Sequence, residues 1–143
     1  MLAGGGIEQG QLDSLFTAAL EAAVGRIEKD GHFFPLLFES RGNNAIQNVA
    51  VLEAGTIEGT EDVLVRLAEL LRARASEGRI KAAAIVHRSG NNPIEVRMRA
   101  PNFSANIDVP IAVETSGLLG LKRRVELGGF AARPVANDVF TQG

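Results

Sequence analysis

The stretch from Gly78 to Ala100, GRIKAAAIVHRSGNNPIEVRMRA, constrains the fold more than any other part of the chain. It begins where a helix-period segment stops at a glycine and continues as a small-residue apolar strand, Lys81 to Arg88. It then turns through Ser89-Gly90-Asn91-Asn92 and returns as an alternating strand, Ile94 to Arg99. Glycine and asparagine tolerate the backbone conformations that tight turns between strands require, so the stretch predicts a β-hairpin. Some 48 positions earlier the plan recurs: Gly31, the apolar run HFFPLLFES, the turn Arg41-Gly42-Asn43-Asn44, then IQNVAVLE. The chain therefore reads as two α-β-β units followed by further strands. An αββ-αββ internal repeat would account for the doubled Gly-Asn-Asn, and so would chance recurrence of a short turn tripeptide.

The helices are set by periodicity. Leu12, Leu15, Phe16, Ala19, Leu20, Ala23 and Ile27 share one stripe, which predicts a helix over roughly Glu8 to Lys29 ended by Gly31. Thr60 suits an N-cap and Glu61 and Asp62 suit a first turn. Val63, Leu64, Leu67, Leu70 and Leu71 form the stripe of a second helix, which runs to about Ser76 and is closed by Gly78. Between them, Phe33 to Ser40 is almost continuously apolar, the pattern of a strand covered on both faces or seamed to another subunit, and Ile46 to Glu53 is its return. Alanine is a poor strand former, so Ala82-Ala83-Ala84 predicts a central strand on which a helix lies close. Ile107 to Glu114 alternates as one further strand, with Pro110 marking an edge or a bulge. Lys122 to Leu127, a Gly128-Gly129 turn and Phe130 to Val135 read as a final hairpin, and residues 136–143 as a peripheral arm anchored by Val139 and Phe140.

These elements predict a single α+β domain over residues 1–143, with Met1 to Gly6 a disordered lead. Its mainly antiparallel sheet has about six strands, and both long helices lie on one face. The leading helix, the apolar strand before a polar turn, the capped helix entering an Ala/Val-rich strand and the closing antiparallel strands resemble small uncharacterised bacterial α+β proteins. The resemblance spans residues 12 to 140 as a pattern. It implies a fold and no functional residue.

Absences narrow the function. The chain has no cysteine, which excludes disulfides and thiolate chemistry, and its two histidines are too few for a His-rich metal site, so no metal or cofactor is expected. No apolar run is long enough to span a bilayer and no signal peptide is visible, which makes the cytoplasm the expected compartment and a membrane partner unexpected. Residues 1–78 carry 6 Lys/Arg against 12 Asp/Glu and residues 79–143 carry 9 against 5, so the helical half is acidic and the later strands are basic. That asymmetry fits a solvated helical layer over a moderately basic sheet, or charge that steers an anionic ligand or a second copy. Lys122-Arg123-Arg124 is too short a basic run for nucleic acid, and the chain has neither Trp nor Tyr for stacking.

His87, Arg97, Arg99 and Glu114 form the candidate ligand-binding set. His87 ends the central strand beside a turn, where it could serve as a base, hold an anion or simply make one hydrogen bond. His32 is a weaker counterpart at the entry of the first apolar strand, not equivalent to His87 under the repeat. Arg97 and Arg99 on the polar face of one strand, with Asp108 and Glu114 on the next, read either as cross-strand ion pairs or as an arginine pair gripping a carboxylate or phosphate, Glu114 acting as acid/base. Phe33, Phe34, Phe38 and Phe103 are more apolar surface than one helical layer covers, which predicts a homodimer through the bare sheet face. The leading functional expectation is thus a non-catalytic, self-associating binding or structural module. The alternative is a small enzyme or anionic-ligand-binding protein with a pocket at the sheet or subunit interface.

Overall fold

The computed structural model describes residues 9–33, 35–41, 46–51, 60–117, 119 and 122–140. The lead at 1–6, Phe34, the Gly-Asn-Asn turn at 42–44 and the link at 54–59 lie outside the described residues. The element order is α1 (Gln9–Asp30), β1 (Leu36–Arg41), β2 (Ile46–Val51), α2 (Thr60–Ser76), β3 (Ile80–His87), β4 (Ile94–Ala100), β5 (Phe103–Val109), β6 (Ile111–Ser116), β7 (Lys122–Leu127) and β8 (Ala131–Pro134). The main sheet runs in the order β2-β1-β3-β4-β5-β8 with every pairing antiparallel, and β6 and β7 form a separate ribbon. The chain is therefore α+β.

Both helices end as their glycines dictate. Gly31 sits at φ 84°, and its amide bonds to the Ile27 carbonyl at 2.8 Å. At the end of α2 the Arg79 amide reaches the Arg74 carbonyl and the Gly78 amide the Ala75 carbonyl, with Gly78 at φ 72°. This paired arrangement satisfies carbonyls that the helix would otherwise leave open. The buried side of α1 matches the expected stripe, whereas in α2 Ala68 is buried and Leu70 faces solvent.

The helices do not share a face. Successive strand residues point to opposite sides of a sheet. Ala82, Ala84 and Val86 of β3 pack in one core with Leu15, Ala19 and Ala23 of α1. Ala83 and Ile85 pack in a second core with Leu64, Leu67 and Leu71 of α2. The expectation of both helices on one face is thus corrected to one helix on each. The cause is legible in the alanines: close approach from one side needs small residues at alternate positions, and a run of three serves approach from both. Phe33 and Phe38 are buried beneath α1 and contribute no bare apolar face for a second copy.

Pro110 divides what reads in sequence as one strand. It closes β5, and the chain leaves the main sheet to form β6, whose partner is β7. The ribbon is stitched to the end of α1. Arg123 donates from a terminal guanidinium nitrogen to the Lys29 carbonyl at 3.2 Å, and the Val125 amide donates to Glu28 Oε2 at 3.0 Å. Residues 131–134 return to the main sheet beside β5 rather than pairing with β7 as expected. From there the chain crosses to the α2 side. Asn137 donates to the Ala100 carbonyl at 2.7 Å, its Oδ1 accepts the amides of Val139 and Phe140, and Val139 enters the core beneath α2.

Candidate functional site

The register determines which sequence-nominated residues can meet. His87 pairs with Glu95 and Ile85 with Arg97 across β3–β4, and Glu95 pairs with Asp108 and Arg97 with Asn106 across β4–β5. Paired residues share a face, so His87, Glu95, Arg97, Asn106 and Asp108 all lie on the α2 side. Arg133 joins them from β8 opposite Asn106. Glu95 is the hub: His87 Nε2 lies 2.6 Å from its Oε1, Arg97 Nε donates to the same oxygen at 2.7 Å, and Arg133 donates to Oε2 at 2.6 Å. Arg133 also reaches Asp108 Oδ2 at 2.5 Å. Arg99, on the same face, is buried and donates to Asp138 Oδ1 at 2.7 Å and to the Met98 and Ala105 carbonyls.

Glu114 does not join them. It stands on β6 opposite Arg124, exposed, in the ribbon on the far side of Pro110. Its proposed role beside Arg97 and Arg99 assumed an unbroken strand through the proline, which the structure overturns. His32 lies at the end of α1 with Nδ1 3.3 Å from the Asp30 carbonyl, remote in the chain order from the Glu95 hub.

The electrostatics of the cluster are those of matched pairs. The hydrogen bond from His87, then the Arg97 guanidinium, hold Glu95 down from an ordinary 4.5 to about 2 against the opposing cost of burial. A carboxylate can only accept, so Nε2 carries the His87 proton, while Nδ1 is buried without a hydrogen-bond partner among the described residues. Glu95 and Asp108 hold Arg133, and Asp108 pushes the Arg133 guanidinium above its ordinary value. Each arginine named here already faces a carboxylate, so an incoming anion meets neutralised cations. Because Glu95 titrates lower when folded, its contribution is complete above about pH 4.5 and disappears as pH falls toward about 2. With Arg133 half exposed, we expect that contribution to be about 1–2 kcal/mol. Urea titrations across this range should therefore show Glu95→Gln losing less stability on acidification than the parent chain. Parallel losses would remove Glu95 from the account.

The opposite face of the same strands carries a pocket that no sequence motif announces. It opens between the N-terminal half of α1 and β4–β5–β8, with a volume of about 400 Å³. Leu12, Phe16, Met98, Phe103, Ile107 and Phe130 form its apolar walls. Gln9, Asp13 and Thr17 supply its polar side, all from α1 and four residues apart, so they share one helix face. Phe16 and Phe130 meet edge to face across the opening with ring centroids 5.4 Å apart. Phe130 follows Gly128-Gly129, and the Gly128 amide bonds to the Pro110 carbonyl at 2.7 Å, which fixes where the ring arrives. The alternation of β4 thus divides two environments: Met98 faces the pocket, and its neighbours Arg97 and Arg99 face the ionic layer.

Among the described residues, no group of three or more His, Asp or Glu side chains could hold a metal ion, and no helix is long and apolar enough to cross a membrane. No family model matches the chain, and no curated protein or solved structure matches it.

Proposed function

We propose that the chain is a non-catalytic binding module whose ligand is a small molecule with an apolar body, seated between α1 and β4–β5–β8. One observation carries this reading. A concavity of about 400 Å³ is walled by three phenylalanines, a methionine and three aliphatic side chains, with polar groups along one side only. Pockets of this size and composition suit small ligands, since burial of apolar surface supplies affinity and a few polar groups fix orientation. Support for a site at His87, Arg97 and Arg99 is weaker, because the carboxylates that compensate them occupy the positions an anionic ligand would take.

Of the two methionines in the chain, Met98 lines the pocket, which makes the test direct. With ¹³C-methyl methionine in the full chain, titration with phenylbutanol should shift the Met98 signal saturably. Phe16→Ala, which removes one wall, should weaken that binding about tenfold or more. A Met98 signal that stays in place up to the solubility limit of the probe would end this reading.

A further inference from the structure

We propose that the pocket selects an organic cation, an amine with an apolar body, over a neutral or anionic counterpart; this rests on the pocket reading above. The charge of the lining is one-sided. Among the described residues Asp13 is the only acidic or basic side chain in it, and Gln9 Nε2 donates to Asp13 Oδ1 at 2.9 Å, which orients the carboxylate. Basic residues come close in sequence but not in space. Arg97 and Arg99 flank Met98, and Arg133 follows Ala132, yet strand alternation turns all three to the other face, where Glu95, Asp108 and Asp138 engage them. The walls add the same preference. Aromatic ring faces carry negative electrostatic potential and attract cations, and Phe16 lies one helical turn from Asp13. An ammonium beside Asp13 would meet a carboxylate on one side and aromatic rings on the other, with its apolar body against Met98 and Phe103. A carboxylate placed there would meet repulsion from both. The small-ligand expectation from sequence is thereby reversed in sign.

The experiment compares phenylbutylamine, phenylbutanol and phenylbutyrate, which share one apolar body, using the Met98 methyl signal of the full chain. The amine should bind about fivefold tighter than the alcohol, and phenylbutyrate weaker than both. Added salt should weaken the amine alone. Asp13→Asn changes an exposed side chain, so the fold is expected to stand. It should abolish the advantage of the amine over the alcohol, the two being compared in the same variant. Equal affinities, tighter binding of phenylbutyrate, or an amine preference that survives Asp13→Asn would overturn the ligand class and leave the pocket in place. If none of the three probes moves Met98, the pocket reading fails with it.

Discussion

Replacing Arg74 by methionine should cost about 3 kcal/mol of folding stability, a large share of what a domain of this size possesses. Arg74 stands in the last turn of α2, and its guanidinium donates from Nε to Glu39 Oε2 and from a terminal nitrogen to Oε1 at 2.9 Å. Glu39 lies in the middle of β1 with a relative exposure of 0 %. The pairing raises the Arg74 pKa, chiefly through the hydrogen bonds to Glu39. Arg41 adds a longer contact at 3.3 Å from a position open to water, too weak to hold the carboxylate alone. Without Arg74 a buried charge has lost its main partner, and the penalty is that of stranding Glu39 rather than of losing one contact. The double replacement Glu39→Met with Arg74→Met removes both charges and should return to within about 1 kcal/mol of the parent. Urea midpoints at unchanged m-value measure both. An Arg74→Met midpoint equal to that of the parent chain would show that Glu39 is not confined as described.

The second large effect concerns the alanines. Ala83→Leu and Ala84→Leu should each cost about 2–3 kcal/mol by overpacking, through different helices. Both alanines are fully buried, Ala84 in the core shared with α1 and Ala83 in the core shared with α2. Amide exchange separates them: Ala84→Leu should lower protection first in α1, and Ala83→Leu first in α2. Loss of protection in the same helix for both variants would contradict the layer order.

Much of this architecture was legible because its signals are local. Leu12, Leu15, Ala19 and Ile27 declare α1, Gly31 and Gly78 stop the two helices, and Gly90 at φ 56° turns the β3–β4 hairpin as its sequence requires. What escaped was set between elements. Nothing within residues 131–134 distinguishes β7 from β5 as a partner, since either offers an antiparallel edge. The position of Glu114 is hidden in sequence because alternation persists through Pro110 even though the sheet changes there. The pocket draws its walls from α1, β4, β5 and β8, and its only sequence trace was Phe16 on the helix stripe with Phe103 and Phe130 flanking strands. The alanine run encodes the layer order, but in sequence it is equally satisfied by the approach of one helix. A duplicated αββ unit would carry a geometric counterpart. A twofold axis exchanging antiparallel β1 and β3 within one sheet stands perpendicular to it and would keep both helices on one side. The observed placement of α1 and α2 is not the product of such an axis.

Everything above depends on β3 lying between two helical layers, and methyl–methyl NOE spectroscopy on alanine-, leucine-, isoleucine- and valine-labelled chain tests that most directly. The account predicts cross-peaks from Ala84 to side chains of α1 and from Ala83 to side chains of α2, with neither methyl seeing both helices. Cross-peaks from both alanines to the same helix would contradict it.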